Sequence, residues 1–202
     1  MQHDFILLDR SGSMSSLWNE ALGSINSYVK KLADEKVDTG VTLATFDGDN
    51  GQLAFDIVRD RIIPSTWHPV SSADASPRGM TPLSDATGKI VNLAKAGGYD
   101  KVAIIIMTDG QENASRELTV SQAKALLDEC RARNWQVIFL GADFDNATQA
   151  ASYGNAVQAT VRVARGNLEA ATASMATSRA AYARAGAQMA FSPEEKKRLS
   201  GE

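Results

Sequence analysis

A chain of 202 residues with 44% hydrophobic content and a net charge of −3 has enough apolar material for one sizeable core, and it is not disordered throughout. The acidic balance, with a pI near 5.5, gives no basic footprint, which disfavours nucleic acid and anionic membrane as main partners. The lone Cys130 excludes an intramolecular disulfide framework and a multi-cysteine zinc site.

The apolar run Phe5-Ile6-Leu7-Leu8 reads as a buried strand that ends in Asp9-Arg10-Ser11-Gly12-Ser13. Ser15 or Ser16 can cap a helix reaching about Lys36, because Leu17, Trp18, Leu22, Ile25, Val29 and Leu32 recur at helical spacing. Gly40 to Phe46 and Gln52 to Val58 read as strands joined by the turn Asp47-Gly48-Asp49-Asn50-Gly51. That turn faintly resembles a calcium loop, but Val58 stands where the closing glutamate would be needed. Residues 62–79 are irregular, broken by Pro64, Pro69 and Pro77, and a loop of this length suggests function or mobility.

Pro82 suits the first turn of a helix to about Ala96. The unbroken apolar run Val102 to Met107 reads as a strand covered on both faces, ending in Thr108-Asp109-Gly110. It is the longest such run and too short to span a bilayer; with no leader pattern before Asp4, a soluble, cytoplasmic protein is expected. A helix over 119–133 carries Cys130 as a small buried hydrophobe. A strand over 136–140, a short helix over 143–152, a last strand over 157–163 and an Ala-rich helix over 167–185 follow. Strands alternating with helices predict a doubly wound, Rossmann-like three-layer α/β/α fold with a six-stranded, mostly parallel sheet and one antiparallel edge strand. One domain over 1–190 and a short charged, solvated tail over 191–202 are expected, with Ser192-Pro193-Glu194-Glu195 suited to a capped final turn.

In extended chain, Asp9, Ser11 and Ser13 point the same way. Three hard oxygen donors converging suggest Mg²⁺, Mn²⁺ or Ca²⁺ rather than zinc or copper. The plainer reading is a strand, a Ser/Gly turn and a helix cap, and the pentapeptide alone does not outweigh it. In a doubly wound sheet, however, ligands sit beyond the carboxyl ends of the strands where the winding reverses. Two strands there end in Asp9 and Asp109, and the loop entering the next helix offers Thr81. Asp9, Ser11, Ser13, Thr81 and Asp109 then make an oxygen-only set of roughly octahedral capacity.

The pattern Asp-x-Ser-x-Ser, the threonine in Gly79-Met80-Thr81-Pro82-Leu83 and Thr108-Asp109-Gly110 resemble the von Willebrand factor A (vWA) domain with its metal-ion-dependent adhesion site (MIDAS). The stretches Phe5 to Met14, Thr108 to Glu117 and Phe139-Leu140-Gly141-Ala142 are similar to small stand-alone bacterial and phage members, and the likeness covers about residues 4–165. The resemblance implies Mg²⁺ or Mn²⁺, with Ser11 and Ser13 ligating directly, Thr81 directly or through water, and Asp9 and Asp109 mostly through water. It further implies a non-catalytic module that docks an Asp or Glu side chain of a protein partner, with a two-state switch conceivable. Arg10, Met14, Met80, Gln111 and Asn113 flank the ligands as candidate rim residues for partner contact. Local packing or hydrogen bonding competes with that role at Arg10, Met14, Met80 and Asn113, and helix capping is favoured for Asp143 and Asp145.

Enzymatic alternatives fit less well. A phosphoryl-transfer enzyme using Asp9 as nucleophile needs a second aspartate two residues on, where Ser11 stands. A dinucleotide site lacks its glycine fingerprint, and a serine hydrolase lacks both the nucleophile elbow and a placed base, with only His3 and His68 available. A structural domain with an unused metal site is the remaining alternative.

Overall fold

Alternation along the first strand decides the layering. The computed structural model describes residues 1–109, 111–142, 151–154 and 159–201, with side chains at 142 and 160–162 left aside. In β1 (Gln2–Asp9), Ile6 and Leu8 pack into one apolar layer while Phe5 and Leu7 pack into the other. Helix α1 (Trp18–Asp34) covers the first layer; α2 (Leu83–Ala96) and α3 (Val120–Ala132) cover the second.

The remaining strands are β2 (Gly40–Asp49), β3 (Gln52–Ile62), β4 (Lys101–Met107), β5 (Gln136–Ala142) and β6 (Thr160–Val163). Their order is β3-β2-β1-β4-β5-β6, and among the described residues only the β2–β3 strand pair is antiparallel. The expected six-stranded mixed α/β sheet is therefore present. Because β2 and β4 flank β1 on opposite sides, the winding reverses between β1 and β4, opening a crevice above their carboxyl ends. Asp9 and Asp109 stand at that edge.

Several boundaries differ from expectation for local reasons. The β2–β3 hairpin turns at Asn50 and Gly51 alone, both at positive φ (49° and 75°), so the strands run longer and Asp47 lies inside β2. A 3₁₀ turn over Gly12–Ser16 precedes α1, which starts at Trp18 rather than at a serine cap. The irregular stretch after β3 is pinned to α1: Asn26 Nδ2 donates to the Val70 carbonyl, while Asn26 Oδ1 accepts from the Val70 amide and the Trp67 indole. The expected helix over 143–152 and the start of the last strand fall largely outside the described residues, as do Gly110, Asp143 and Asp145.

Helix α4 (Leu168–Ala185) lies against α1, and its Arg179 is fully buried. The Arg179 guanidinium reaches Asp4 at 2.7 Å, and Tyr28 donates its hydroxyl to the same carboxylate. Removing either charge would strand the other in the core. The expected capped turn at Ser192 is present and continues as α5 (Pro193–Ser200), packed on the core rather than solvated. Ser192 and Glu195 form a capping box at its start, and Leu199 is 1% exposed within the first layer. Phe191 before the helix and Leu199 at its far end, whose carbonyl accepts the Ala164 amide and the Asn167 side chain, hold the charged segment on the core. Leu199→Ala should accordingly lower stability by about 2–4 kcal/mol in urea denaturation. A loss under about 0.5 kcal/mol would instead fit a solvated tail.

Candidate metal centre

The site is built where three loops meet at the carboxyl edge of the parallel strands: those after β1 and β4, and the one that returns from the far end of antiparallel β3. Asp9 is fully buried where β1 ends. Its Oδ1 accepts the Ser11 amide at 2.7 Å and its Oδ2 accepts the Thr108 hydroxyl at 2.6 Å, tying the loop after β1 to the loop after β4. Ser11 stands just before the 3₁₀ turn, its carbonyl accepting the Met14 amide, and the turn brings Ser13 back towards it: the two hydroxyl oxygens are 3.0 Å apart. The convergence anticipated from an extended chain thus comes about partly by a turn. Ser13 Oγ donates to Asp109 Oδ1 at 2.7 Å and closes the chain of contacts.

Four of the five candidate ligands are joined by this chain of contacts. Thr81 is brought alongside through the backbone. The Gly12 amide donates to the Gly79 carbonyl at 3.1 Å, and the Thr81 amide and carbonyl bond to the side chain and amide of Asn113, at 2.9 and 3.1 Å. Exposure grades across the set: Asp9, Ser11 and Thr81 are buried, Asp109 is half-buried, and Ser13 is open to solvent. Asp9, Ser11 and Thr81 thus lie at the bottom of the arrangement, with Ser13 and Asp109 towards solvent.

Burial pushes the Asp9 carboxyl up to about 6 against the pull of its Thr108 and Ser11 hydrogen bonds, and the charge of Asp109 adds to the rise. Asp109 is likewise raised by burial, with the Ser13 hydrogen bond acting the other way. Two partly desolvated carboxylates and three hydroxyls suit a hard divalent cation, which would offset the repulsion between the acids. Among the described residues no group of three or more His, Cys, Asp or Glu is placed to hold a metal, so a zinc-type or all-carboxylate centre is absent there.

Residues not foreseen from the sequence hold these loops. Glu112 accepts hydrogen bonds from the Ser84, Ala114 and Ser115 amides and the Ser115 hydroxyl. Burial opposes its charge, yet these bonds from Ser115, Ser84 and Ala114 keep its carboxyl below the ordinary range. Asp85, in the first turn of α2, accepts the amides of Arg116, Glu117 and Leu118. Together they staple the loop after β4 to the start of α2, beside Thr81. The available signal was two acids close in sequence to Ser and Gly-rich turns, too common a pattern to single out.

Of the candidate rim residues, Met80, Gln111 and Asn113 are exposed. Arg10 and Met14 are not on the rim. Arg10 is 6% exposed because strand alternation turns it away from Asp9 and Ser11, into ion pairs with Asp47 and Asp56. Met14 packs in the first apolar layer, 3% exposed.

The sequence matches the von Willebrand factor type A domain model over residues 5–181. The chain belongs to that family. Solved vWA-like structures share its fold at low identity. The vWF domain of the type V pilus tip protein Mfa5 from Porphyromonas gingivalis superposes with a TM-score of 0.67 at 12% identity, covering 96% of this chain and 98% of that one. The PilB minor pilin from Streptococcus sanguinis gives 0.66 at 11%, covering 89% of this chain, which spans 61% of the pilin. Manganese-loaded TRAP protein from Plasmodium vivax gives 0.59 at 15%, covering 84% and 71%. No curated relative matches at the sequence level. Among the described residues, no helix of this vWA domain is long and apolar enough to cross a membrane.

The burial of the Asp9 carboxylate has a measurable consequence. In EDTA at pH 7.5, Asp9→Asn should be more stable than wild type by on the order of 1 kcal/mol, with a higher unfolding midpoint, because it removes a desolvated charge near Asp109. A lower midpoint would mean that the hydrogen bonds to the Asp9 carboxylate outweigh its burial.

Proposed function

We propose that this vWA domain is a divalent-metal-dependent protein-binding module whose site is a MIDAS formed by Asp9, Ser11, Ser13, Thr81 and Asp109. The observation that carries the reading is the continuous contact path from buried Asp9 through Ser11 and Ser13 to Asp109, an oxygen-only donor set at the switch point of the sheet. Mg²⁺ is the expected ion, with Mn²⁺ an equivalent fit and Ca²⁺ acceptable to the same donors. That a vWA-like structure is described as manganese-loaded supports the choice of a divalent ion.

The bound ion supplies an electrophilic position that accepts a carboxylate oxygen. The protein's own residues determine how strongly. Ser11, Ser13 and Thr81 offer neutral oxygens, while Asp9 and Asp109 set the field from behind; donors of this kind leave positive charge uncancelled, so an Asp or Glu of a partner is favoured as the last ligand. Met80, Gln111 and Asn113 form the exposed rim a partner would meet. Domains of pilus proteins among the similar structures fit a role in protein contact.

A phosphoryl-transfer role for Asp9 is disfavoured. Both its oxygens already accept hydrogen bonds and the residue is fully buried, which suits an anchored anion rather than a nucleophile. His3 sits six positions before Asp9 on the same strand, about 20 Å away, and so provides no base.

Millimolar Mg²⁺ or Mn²⁺ should raise the melting temperature of the wild type, by mass action on the native state, with about 2.7 kcal/mol expected at a hundredfold excess over Kd. Ser11→Ala and Thr81→Ala should lose most of that increment. A Glu-containing peptide panel should then bind in Mg²⁺ and not in EDTA, and the Gln-substituted counterparts should not bind. Equal metal stabilisation of wild type and both variants would rule the site out.

A further inference from the structure

Asp47 lies in β2 with its carboxylate wholly out of solvent, between two guanidinium groups. Arg10 Nε reaches its Oδ1 at 2.7 Å, and Arg78 Nε reaches its Oδ2 at 3.0 Å. Arg10 comes from the loop that carries Ser11 and Ser13; Arg78 comes from the loop that carries Thr81. Arg10 is also paired with Asp56 on β3 at 2.6 Å, so two cations and two anions balance.

The backbones follow the charges. Arg78 donates its amide to the Arg10 carbonyl at 2.6 Å, and Gly48 and Met80 exchange a pair of hydrogen bonds at 2.8 and 3.3 Å. Gly79 sits at φ 69°, where an added Cβ would lie 2.2 Å from the Gly48 carbonyl oxygen and 2.8 Å from Asp47 Oδ2. Only glycine lets the Thr81 loop come this close to Asp47. Without a counter-ion between them, two loops that each bring a guanidinium to one spot would repel.

We infer that Asp47, clamped by Arg10 and Arg78, is the positioning residue that sets the Thr81 loop against the Ser11–Ser13 loop and thereby fixes the spacing of the metal donors. This rests on the metal-site reading above. None of the clamp residues supplies a ligand. Asp47 acts through the two loops, as groups behind a coordination shell do, where substitution costs about 10–100-fold in metal affinity. The clamp also explains why an arginine can follow Asp9 directly without placing its charge at the cation: Asp47 and Asp56 hold it on the other side.

The test is Mg²⁺ affinity by calorimetric titration, alongside melting temperature in EDTA and amide exchange at Met80. Arg78 is half-exposed, so Arg78→Ala should leave the EDTA melting temperature nearly unchanged while raising the Mg²⁺ Kd about tenfold. Arg78→Lys should recover part of the affinity. Asp47→Asn should lose at least as much affinity and speed exchange at Met80, and the double variant should be no weaker than Asp47→Asn alone. Should Asp47→Asn fail to fold, the two Arg78 variants carry the test. Wild-type Mg²⁺ affinity in Arg78→Ala, with wild-type protein binding normally, would overturn the clamp and leave the metal site standing. Absence of Mg²⁺ and Mn²⁺ binding by the wild type would overturn the site itself, and the clamp's purpose with it.

Discussion

A carboxylate buried at the end of the first strand is the constraint on which the site depends. Asp9 has no access to solvent, and its two oxygens are taken by an amide of its own loop and a hydroxyl of the loop after β4. Burying such a group is costly, and the elevated value of its carboxyl, about 6, records that cost. Placing a second raised carboxyl, Asp109, within reach of its field makes the pair a poor structural choice and a good receptor for a cation. The hydroxyls of Ser11 and Ser13 lie between them, so the anionic groups stand behind neutral donors.

Each junction between loops around this centre is held by its own carboxylate. Asp9 joins the loops after β1 and β4, Asp47 joins the first of these to the Thr81 loop, and Glu112 with Asp85 joins the loop after β4 to the start of α2. All three junctions use charge-assisted bonds to amides, hydroxyls or guanidinium groups rather than apolar packing. That is the chemistry available at a sheet edge, where the apolar strands have ended but the side chains are still largely out of water. The Asp4–Arg179 pair plays a corresponding part at the opposite end of β1, where it ties the Ala-rich α4 to the sheet.

The fold, and the gathering of the candidate donors at one edge, were legible in the sequence because both rest on short, local patterns. Apolar runs such as Phe5 to Leu8 and Val102 to Met107 make buried parallel strands, and polar residues directly after them must emerge at one edge. What was not legible depends on side-chain direction and on distant partners. Arg10 looked like a rim residue because it sits between two candidate ligands, yet alternation sends it the other way, to Asp47 and Asp56. For Met14, which follows Ser13, rim contact and packing were both open, and the 3₁₀ turn places it in the core. Asp47 read as a turn residue, since the compact Asn50-Gly51 turn leaves it in the strand only once the hairpin register is known. The capped turn at Ser192 was legible in the charged C-terminal segment, but its docking was not, because among the described residues of that segment only Phe191 and Leu199 reach the core.

The most direct test of a metal centre at this edge is anomalous scattering from crystals of the wild-type protein grown with Mn²⁺. A single strong manganese peak should lie within about 2.5 Å of the Ser11, Ser13 and Thr81 hydroxyls, with Asp9 and Asp109 just behind. Ordered density for these loops with no peak there, or a peak elsewhere only, would contradict the account.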